Sequence, residues 1–274
     1  MLKQRILTAL VMLLVLAAAS TVGQPYGFPL LALLLVGVLA GEWLMLLRWT
    51  KPTAIVVAGA MTFALWILDT TSVATTILLV FCATATAVWL ALALCLFTSG
   101  RFPPTDRWRA GYAALALLLP GATWLALVAA YRHGLVFMVS ILAIVWAADI
   151  AAYFAGRAFG KRKLAPAISP GKTWAGAIGG AVAALLLAVA ALLVPSVDSV
   201  FAIFDRRWSW APVLVATLVL AMLSVVGDLF ESHLKRQRGV KDSGTLLPGH
   251  GGVFDRLDAL LPIVPATMLL MLST

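Results

Sequence analysis

Residues 73–97 read VATTILLVFCATATAVWLALALCLF, a stretch of 25 residues without one Asp, Glu, Lys, Arg or His. The hydrocarbon core of a bilayer takes about 20 apolar residues of helix. Backbone groups in lipid must be satisfied within the segment, so the stretch reads as a membrane-crossing helix. Working outward, comparable runs lie at 6–22, 28–47 and 54–68 before it. Five more follow, at 110–131, 135–155, 173–194, 211–231 and 257–273. The run 54–68 is short, which fits a tilted or half-buried span. The run 6–22, behind Lys3 and Arg5 and ending in Ala17, Ala18, Ala19 and Ser20, also has the look of a signal peptide. It is read here as a retained span. No segment alternates as the strands of a membrane barrel do.

The expectation is an all-α, polytopic integral membrane protein with about nine transmembrane helices and no soluble domain. Residues 1–134 would hold about five helices. Residues 135–274 would hold about four, with cytoplasmic loops carrying the catalytic site. Composition agrees: 63% of the 274 residues are hydrophobic, 11% are charged, and the mean hydropathy is +1.04. Soluble domains are about 25% charged, so a soluble enzyme, a disordered chain and a disulfide scaffold are excluded. Cys82 and Cys95 share one apolar run thirteen residues apart and read as buried hydrophobes rather than ligands or a disulfide.

The net charge is +9, from 20 Lys and Arg against 11 Asp and Glu. With a cytoplasmic N-terminus and nine alternating spans, 17 of the 20 basic residues fall on the cytoplasmic side, leaving Arg132, Arg206 and Arg207 outside. Cytoplasmic loops carry such an excess of Lys and Arg. Ten of the 17 sit in two segments, 157–172 and 232–256, where Gly, Pro, Ser, His and acidic residues also gather.

The stretch 224–258 reads SVVGDLFESHLKRQRGVKDSGTLLPGHGGVFDRLD. Asp228, Glu231, Ser232 and Lys235 fall on one helical face at i, i+3, i+4 and i+7. An acid near the end of an apolar run costs about 2.5–3.5 kcal/mol to insert at mid-membrane, which marks it as functional. Arg236, Arg238, Lys241 and Asp242 follow. Gly249-His250-Gly251-Gly252 then forms a loop whose bare backbone allows close approach. Asp255, Arg256 and Asp258 open the last run, the two acids three residues apart. Carboxylates suit Mg²⁺, which keeps several waters and binds substrate phosphates. Lys and Arg answer phosphate charge. Such a set fits phosphoryl or nucleotidyl transfer, where positioning and charge neutralisation do most of the catalysis.

A second stretch, 146–176, reads WAADIAAYFAGRAFGKRKLAPAISPGKTWAG. Asp149 lies inside an apolar run, and Ser169, Lys172 and Thr173 stand just before a helix start, where a phosphate is at home. The spacing is not that of a P-loop. Trp174 reads as an interfacial residue. Glu42, within the second run, is left open among pairing with Arg48, contact with Ser or Thr, and a cavity wall. His133, Asp69, Asp106, Asp198 and Asp205 read as loop residues.

Ser232-His-Leu-Lys235-Arg236, then Lys241-Asp242, then Pro248-Gly-His250-Gly251-Gly252-Val-Phe-Asp255-Arg256-Leu-Asp258 resembles the signature of the phosphatidate cytidylyltransferase family, over 27 residues. The second stretch resembles the same family's region of an intramembrane acid, a Tyr, a Gly-Arg-x-x-Gly-Lys segment and a Ser-Pro-x-Lys-Thr-Trp-x-Gly box. Gly171 and Ala175 depart from that box, and Ile150 stands where the family has a hydroxyl residue. The resemblance implies a Mg²⁺-dependent reaction, with one or two cations, in which CTP and phosphatidic acid give CDP-diacylglycerol and pyrophosphate. It implies Asp228 and Asp255 as metal ligands, with Asp258 and Asp149 assisting. Lys235, Arg236, Lys241 and Arg256 would neutralise phosphate charge, with Asp242 beside them. Ser169, Lys172 and Thr173, with Ser232 and the His250-Gly251-Gly252 loop, would hold the lipid phosphate or the nucleotide. It further implies a homodimer, and a polar cavity open to membrane and cytoplasm. A CTP-dependent polyprenol kinase and a transporter of organic phosphates are the rival readings.

Overall fold

The computed structural model describes residues 2–70 and 75–273, so residues 73 and 74 of the quoted run lie outside the described residues. The chain runs α1 (Leu2–Thr21), α2 (Gly27–Leu46), α3 (Lys51–Thr70), α4 (Thr75–Ser99), α5 (Arg109–His133) and α6 (Leu135–Phe159). It continues through β1 (Lys163–Ala165), β2 (Ser169–Thr173), α7 (Trp174–Leu192), α8 (Val200–Trp208), α9 (Trp210–Arg238), α10 (Phe254–Leu257) and α11 (Leu260–Leu272). Among the described residues, α2 to α7 and α9 are seven helices long and apolar enough to cross a membrane. The apolar part of α1 and the last helix, α11, are shorter. Eight of the nine apolar runs thus appear as one helix each, and the last, 257–273, is divided between α10 and α11, in a polytopic all-α membrane protein.

The segments expected on one side of the membrane share one end of the bundle. There Arg109 Nη2 donates to the Arg48 carbonyl at 3.3 Å, and Tyr112 Oη donates to the Pro103 carbonyl at 2.8 Å. His233 Nε2 lies 3.1 Å from that same Pro103 carbonyl, and Thr8 Oγ1 donates to the Pro248 carbonyl at 3.0 Å. The three remaining arginines lie at the opposite end. Arg132 forms a 2.7 Å pair with Asp69, Arg206 a 2.7 Å pair with Asp198, and Arg207 Nη1 donates to the Met271 carbonyl. Asp69 is therefore no loop residue; it closes the last turn of α3, with both carboxylate oxygens on Arg132.

Lipid tails are as apolar as leucine, so close fit rather than escape from water holds the helices together. Two packing devices stand out. Helices α6 and α7 meet through small residues: a Cβ on Gly176 would come 2.9 Å from the Ala152 carbonyl, and one on Gly180 would come 2.8 Å from the Ala148 carbonyl. Beneath the polar end, Phe230 of α9 is ringed by Trp43, Trp89, Phe102 and Tyr112 with centroids 5.1, 5.4, 5.4 and 5.6 Å away. Trp43 also stacks on Phe254 at 5.0 Å. Aromatic pairs contribute about 0.5–1.5 kcal/mol each beyond burial, and these tie α2, α4, α5, α9 and α10 into one platform.

Four features go beyond the sequence reading. Residues 163–173 form a small antiparallel hairpin, Lys163 paired with Thr173 and Ala165 with Ser169. A short helix, α8, is capped by Ser199, whose Oγ accepts from the Ala202 N–H at 3.2 Å. Helix α9 runs well past residue 231, because no breaker occurs before Gly239, which ends it in the left-handed conformation at φ 76°. The run 257–273 is split, so α11 begins only at Leu260. Its Pro262 falls in the first turn, where a missing N–H costs nothing.

Candidate active site

The site is built on the C-terminal turns of α9. Asp228, Glu231 and Asp258 each offer a carboxylate oxygen, and these oxygens all lie within 4.8 Å of one another. Asp228 and Glu231 meet because they are three apart on one helix. Asp258 arrives from the α10–α11 junction, which packs so tightly on α9 that a Cβ on Gly227 would strike the Asp258 carbonyl and the Pro262 ring. Two lysines answer the acids. Lys172, at the end of β2, lies 2.6 Å from Asp228 Oδ2. Lys235 bridges Glu231 Oε2 and Asp255 Oδ1, each at 2.6 Å. Ser232 Oγ donates to Asp228 Oδ1 at 3.4 Å.

Asp255 holds the glycine loop in shape. Its Oδ2 accepts from the Ser243 N–H at 2.9 Å, from Ser243 Oγ at 3.0 Å and from the Gly252 N–H at 2.8 Å. Burial alone would raise its pKa. The hydrogen bonds with Glu231 and Lys235, together with those from the Gly252 and Ser243 N–H groups, instead hold it well below the usual carboxylate range. Gly251 sits at φ +83°, and a Cβ there would come 2.6 Å from Asp255 Oδ2. The Leu247 N–H donates to the Gly251 carbonyl at 2.9 Å, closing the loop on itself. Arg256 Nε donates to the His250 carbonyl at 3.1 Å.

Glu42 is the residue whose role the sequence left open. It is buried at 4% exposure. Its Oε1 accepts from the Val253 N–H at 3.1 Å, and its Oε2 accepts from the Phe254 N–H at 2.9 Å and from Ser243 Oγ at 2.8 Å. A carboxylate on the first N–H groups of a helical turn is well placed electrostatically. The packing is close enough that a Cβ on Gly244 or on Gly252 would overlap the Glu42 carboxylate. Of the options weighed, two are observed: Glu42 contacts a serine, and it lines a void beside α3.

A cavity of about 450 Å³ opens beside this cluster, between α6, α7 and α9. Asp149, Tyr153, Arg157, Lys172, Thr173 and Asp228 supply its polar wall. Thr173 caps α7, its Oγ1 accepting from the Gly176 N–H at 3.1 Å. Tyr153 Oη accepts from Arg157 Nη1 at 3.1 Å. The volume falls within the range of about 300–1,000 Å³ usual for small-molecule sites.

The structure therefore brings together Asp149, Lys172, Thr173, Asp228, Ser232, Lys235, Gly251, Gly252, Asp255 and Asp258. Of these, Asp149, Lys172, Thr173 and Asp228 line the cavity and the rest adjoin it through the acid–lysine cluster, while other expected residues stand apart. Ser169 starts β2, opposite Ala165. Arg236 is exposed and donates to the Val240 carbonyl. Lys241 is exposed, and Asp242 is exposed along the void beside α3. His250 donates its N–H to the Leu247 carbonyl, and its Nδ1 is buried without a hydrogen-bond partner. Glu231, Ser243, Tyr153 and Arg157 were not chosen as site residues from sequence. Glu231 was visible as part of the acidic face of α9. Ser243 carried no signal, since its partners are 12 and 201 residues away.

The donor set fits a hard divalent cation. It is all carboxylate oxygen, its members converge, and Glu231 Oε1 is buried with no hydrogen-bond partner among the described residues. Asp255, expected alongside Asp228, has its oxygens on Lys235, Ser243 and Gly252.

The family model described as "Cytidylyltransferase family" matches residues 3–274. The chain is 38% identical to the phosphatidate cytidylyltransferase of Haemophilus influenzae, over 97% of this chain and 96% of that protein. It is 37% identical to that of Pseudomonas aeruginosa, over 97% of this chain and 95% of the relative. Over a shorter stretch, 60% of this chain and 54% of the relative, it is 48% identical to the phosphatidate cytidylyltransferase of Brucella suis.

Proposed function

We propose that this chain, which belongs to the cytidylyltransferase family, transfers the cytidylyl group of CTP to phosphatidic acid, giving CDP-diacylglycerol and pyrophosphate. The observation that carries the reading is the meeting of Lys172 and Asp228, 2.6 Å apart, on the wall of a cavity walled by membrane helices. A lipid phosphate and a nucleotide triphosphate need such a place, at the boundary between membrane and water.

In this reading a lipid phosphate oxygen attacks the α-phosphorus of CTP. The new P–O bond forms as the bond to the β-phosphate bridging oxygen breaks, and pyrophosphate departs. The attacking group is already an anion, so no general base is required. Lys172 holds and orients a phosphate at the cavity wall, and Thr173 fixes the start of α7 beside it. Lys235 and Arg256 add positive charge, and the Gly251-Gly252 backbone allows close approach. Asp228, Glu231 and Asp258 would hold Mg²⁺, which supplies positive charge to the phosphate oxygens when bound. Asp255 sets the position of Lys235 and the loop. Arg236 and Lys241, both exposed, draw the nucleotide inward from solution.

The site end is read as cytoplasmic because 17 of 20 basic residues belong to it, which puts the N-terminus there too, in the inner membrane of a bacterium. Residues 135–274 carry most of the site, and residues 1–134 the helices that brace it through Glu42. Pairing of two chains is part of the same reading and is tested by the mass of the purified particle.

The deciding experiment supplies purified protein with phosphatidic acid and CTP labelled on the α- or γ-phosphate, with Mg²⁺ or with EDTA. Label from the α-position entering lipid only with Mg²⁺ is the expected result. Label from the γ-position in lipid would make the protein a kinase, and no label in lipid would overturn the reading.

A further inference from the structure

The polar cavity has an apolar neighbour. A void of about 410 Å³ lies between α4, α7 and α9, and among the described residues no ionisable side chain lines it. Phe97 from α4, Trp174 and Ile178 from α7, and Met222 from α9 contribute to its walls. The two voids share residues: Leu164, Ala177, Ala181, Ala221 and Val225 line both. Ala177 and Ala181 are one turn apart on α7, and Ala221 and Val225 are one turn apart on α9. The helices therefore face each other at this level through short side chains, with the polar void on one side of the seam and the apolar void on the other. The end of β2 is divided in the same way. Lys172 lines the polar void and Trp174, two residues on, lines the apolar one.

We propose that the void between α4, α7 and α9 receives one acyl chain of the lipid substrate, and that the alanine seam sets which chains are accepted. The inference rests on the reaction proposed above. Phosphatidic acid carries a phosphate covalently joined to two long chains, so a phosphate held at Lys172 needs apolar space within reach of its cavity. The apolar void adjoins that cavity along the shared residues, with only Leu164, Val225 and the short alanine side chains between the two. Burial in the void gains little over burial in lipid, since both are apolar. The void therefore discriminates by shape, and Ala181 is a specificity-determining position.

The test compares dioleoyl with dihexanoyl phosphatidic acid in detergent micelles. Ala181→Leu fills the seam, and Val182→Leu, at a lipid-facing position 48% exposed, is the control. The ratio of kcat/KM for the long lipid over the short one should fall about tenfold or more in Ala181→Leu, the scale of discrimination a shaped apolar pocket achieves. It should hold in Val182→Leu. An unchanged ratio in Ala181→Leu, or an equal fall in the control, overturns the proposal. A second measurement needs no turnover: wild-type protein is photolabelled with phosphatidic acid carrying a diazirine near the chain end. Labelling at Phe97 or Met222 that excess phosphatidic acid displaces supports the void as the chain's site. Labelling elsewhere by a turning-over enzyme removes the void but leaves the reaction standing. Displaceable labelling of the void in protein that makes no CDP-diacylglycerol supports the site and removes the reaction.

Discussion

Glu42 accepts the backbone N–H of Phe254 at 2.9 Å, joining the second helix to a loop 212 residues further along the chain. The same carboxylate takes Val253 and Ser243, and Ser243 in turn holds Asp255. An acid from the N-terminal helices thereby fixes the conformation of the loop that carries the C-terminal signature.

Replacing Glu42 by Ala leaves two buried N–H groups without their acceptor and leaves the Ser243 hydroxyl with Asp255 alone. Each lost hydrogen bond to a charged group is worth about 1.5–3 kcal/mol. The expected outcome is a lower melting temperature and faster amide exchange at Gly252, Val253 and Phe254, with activity falling alongside. Exchange rates at those amides equal to wild type would remove Glu42 from this role.

Lys172 and Asp228 act on one another, so their substitutions should not add. In a double-mutant cycle of Lys172→Ala and Asp228→Asn, the coupling in kcat/KM should be in the range of about 0.5–3 kcal/mol found for residues in contact. Additive losses would mean that the 2.6 Å pair has no part in turnover.

Lys235 neutralises Glu231 and Asp255 at once. Lys235→Met leaves two largely buried carboxylates without their cation, and breaking a buried pair in this way costs about 3–5 kcal/mol. The variant should unfold at a clearly lower temperature than wild type and be inactive. Lys235→Arg should recover stability in part, because charge is restored without the same reach. Thermal unfolding of both variants in detergent checks the order.

Gly251 is needed for its backbone. At φ +83° a side chain is strained, and its Cβ would lie 2.6 Å from Asp255 Oδ2. The left-handed conformation alone costs a non-glycine residue about 1–2 kcal/mol. Gly251→Ala should therefore lower activity more than Gly171→Ala, a position with open space around it. Equal activities would show that the loop tolerates the change.

If Asp228, Glu231 and Asp258 hold the cation, Glu231→Gln should raise the Mg²⁺ concentration giving half-maximal activity while the KM for CTP at saturating Mg²⁺ moves little. EDTA should abolish turnover in wild type, and added Mg²⁺ should restore it. A Mg²⁺ requirement unchanged in Glu231→Gln would take Glu231 out of the ligand set.

Much of this architecture was legible in the chain itself. Seven of the nine apolar runs gave helices long and apolar enough to cross a membrane, and the first and last gave shorter ones, because the hydrocarbon leaves a spanning backbone no alternative. The distribution of arginine and lysine sorted the loops between two ends, and the ion pairs of Arg132 and Arg206 lie at the end that the count assigned them. The acidic face of α9 was also visible, since i, i+3 spacing on a helix is local geometry. Local patterning did not reveal the hairpin at 163–173, whose pairing depends on what lies beneath it.

Tertiary structure alone decided how the polar residues divide their work. Asp228 and Asp255 look alike in sequence, yet one lines the cavity with Lys172 and the other is occupied by Lys235, Ser243 and Gly252. Glu42 was an acid without a visible partner, because its partners lie some two hundred residues away. The apolar void behind the α7–α9 alanines was equally hidden, since alanines in a span read as ordinary packing. Periodicity and hydropathy are properties of neighbours along the chain, and the membrane enforces them segment by segment. A carboxylate's partner, and the space between two helices, depend on which distant segments pack together.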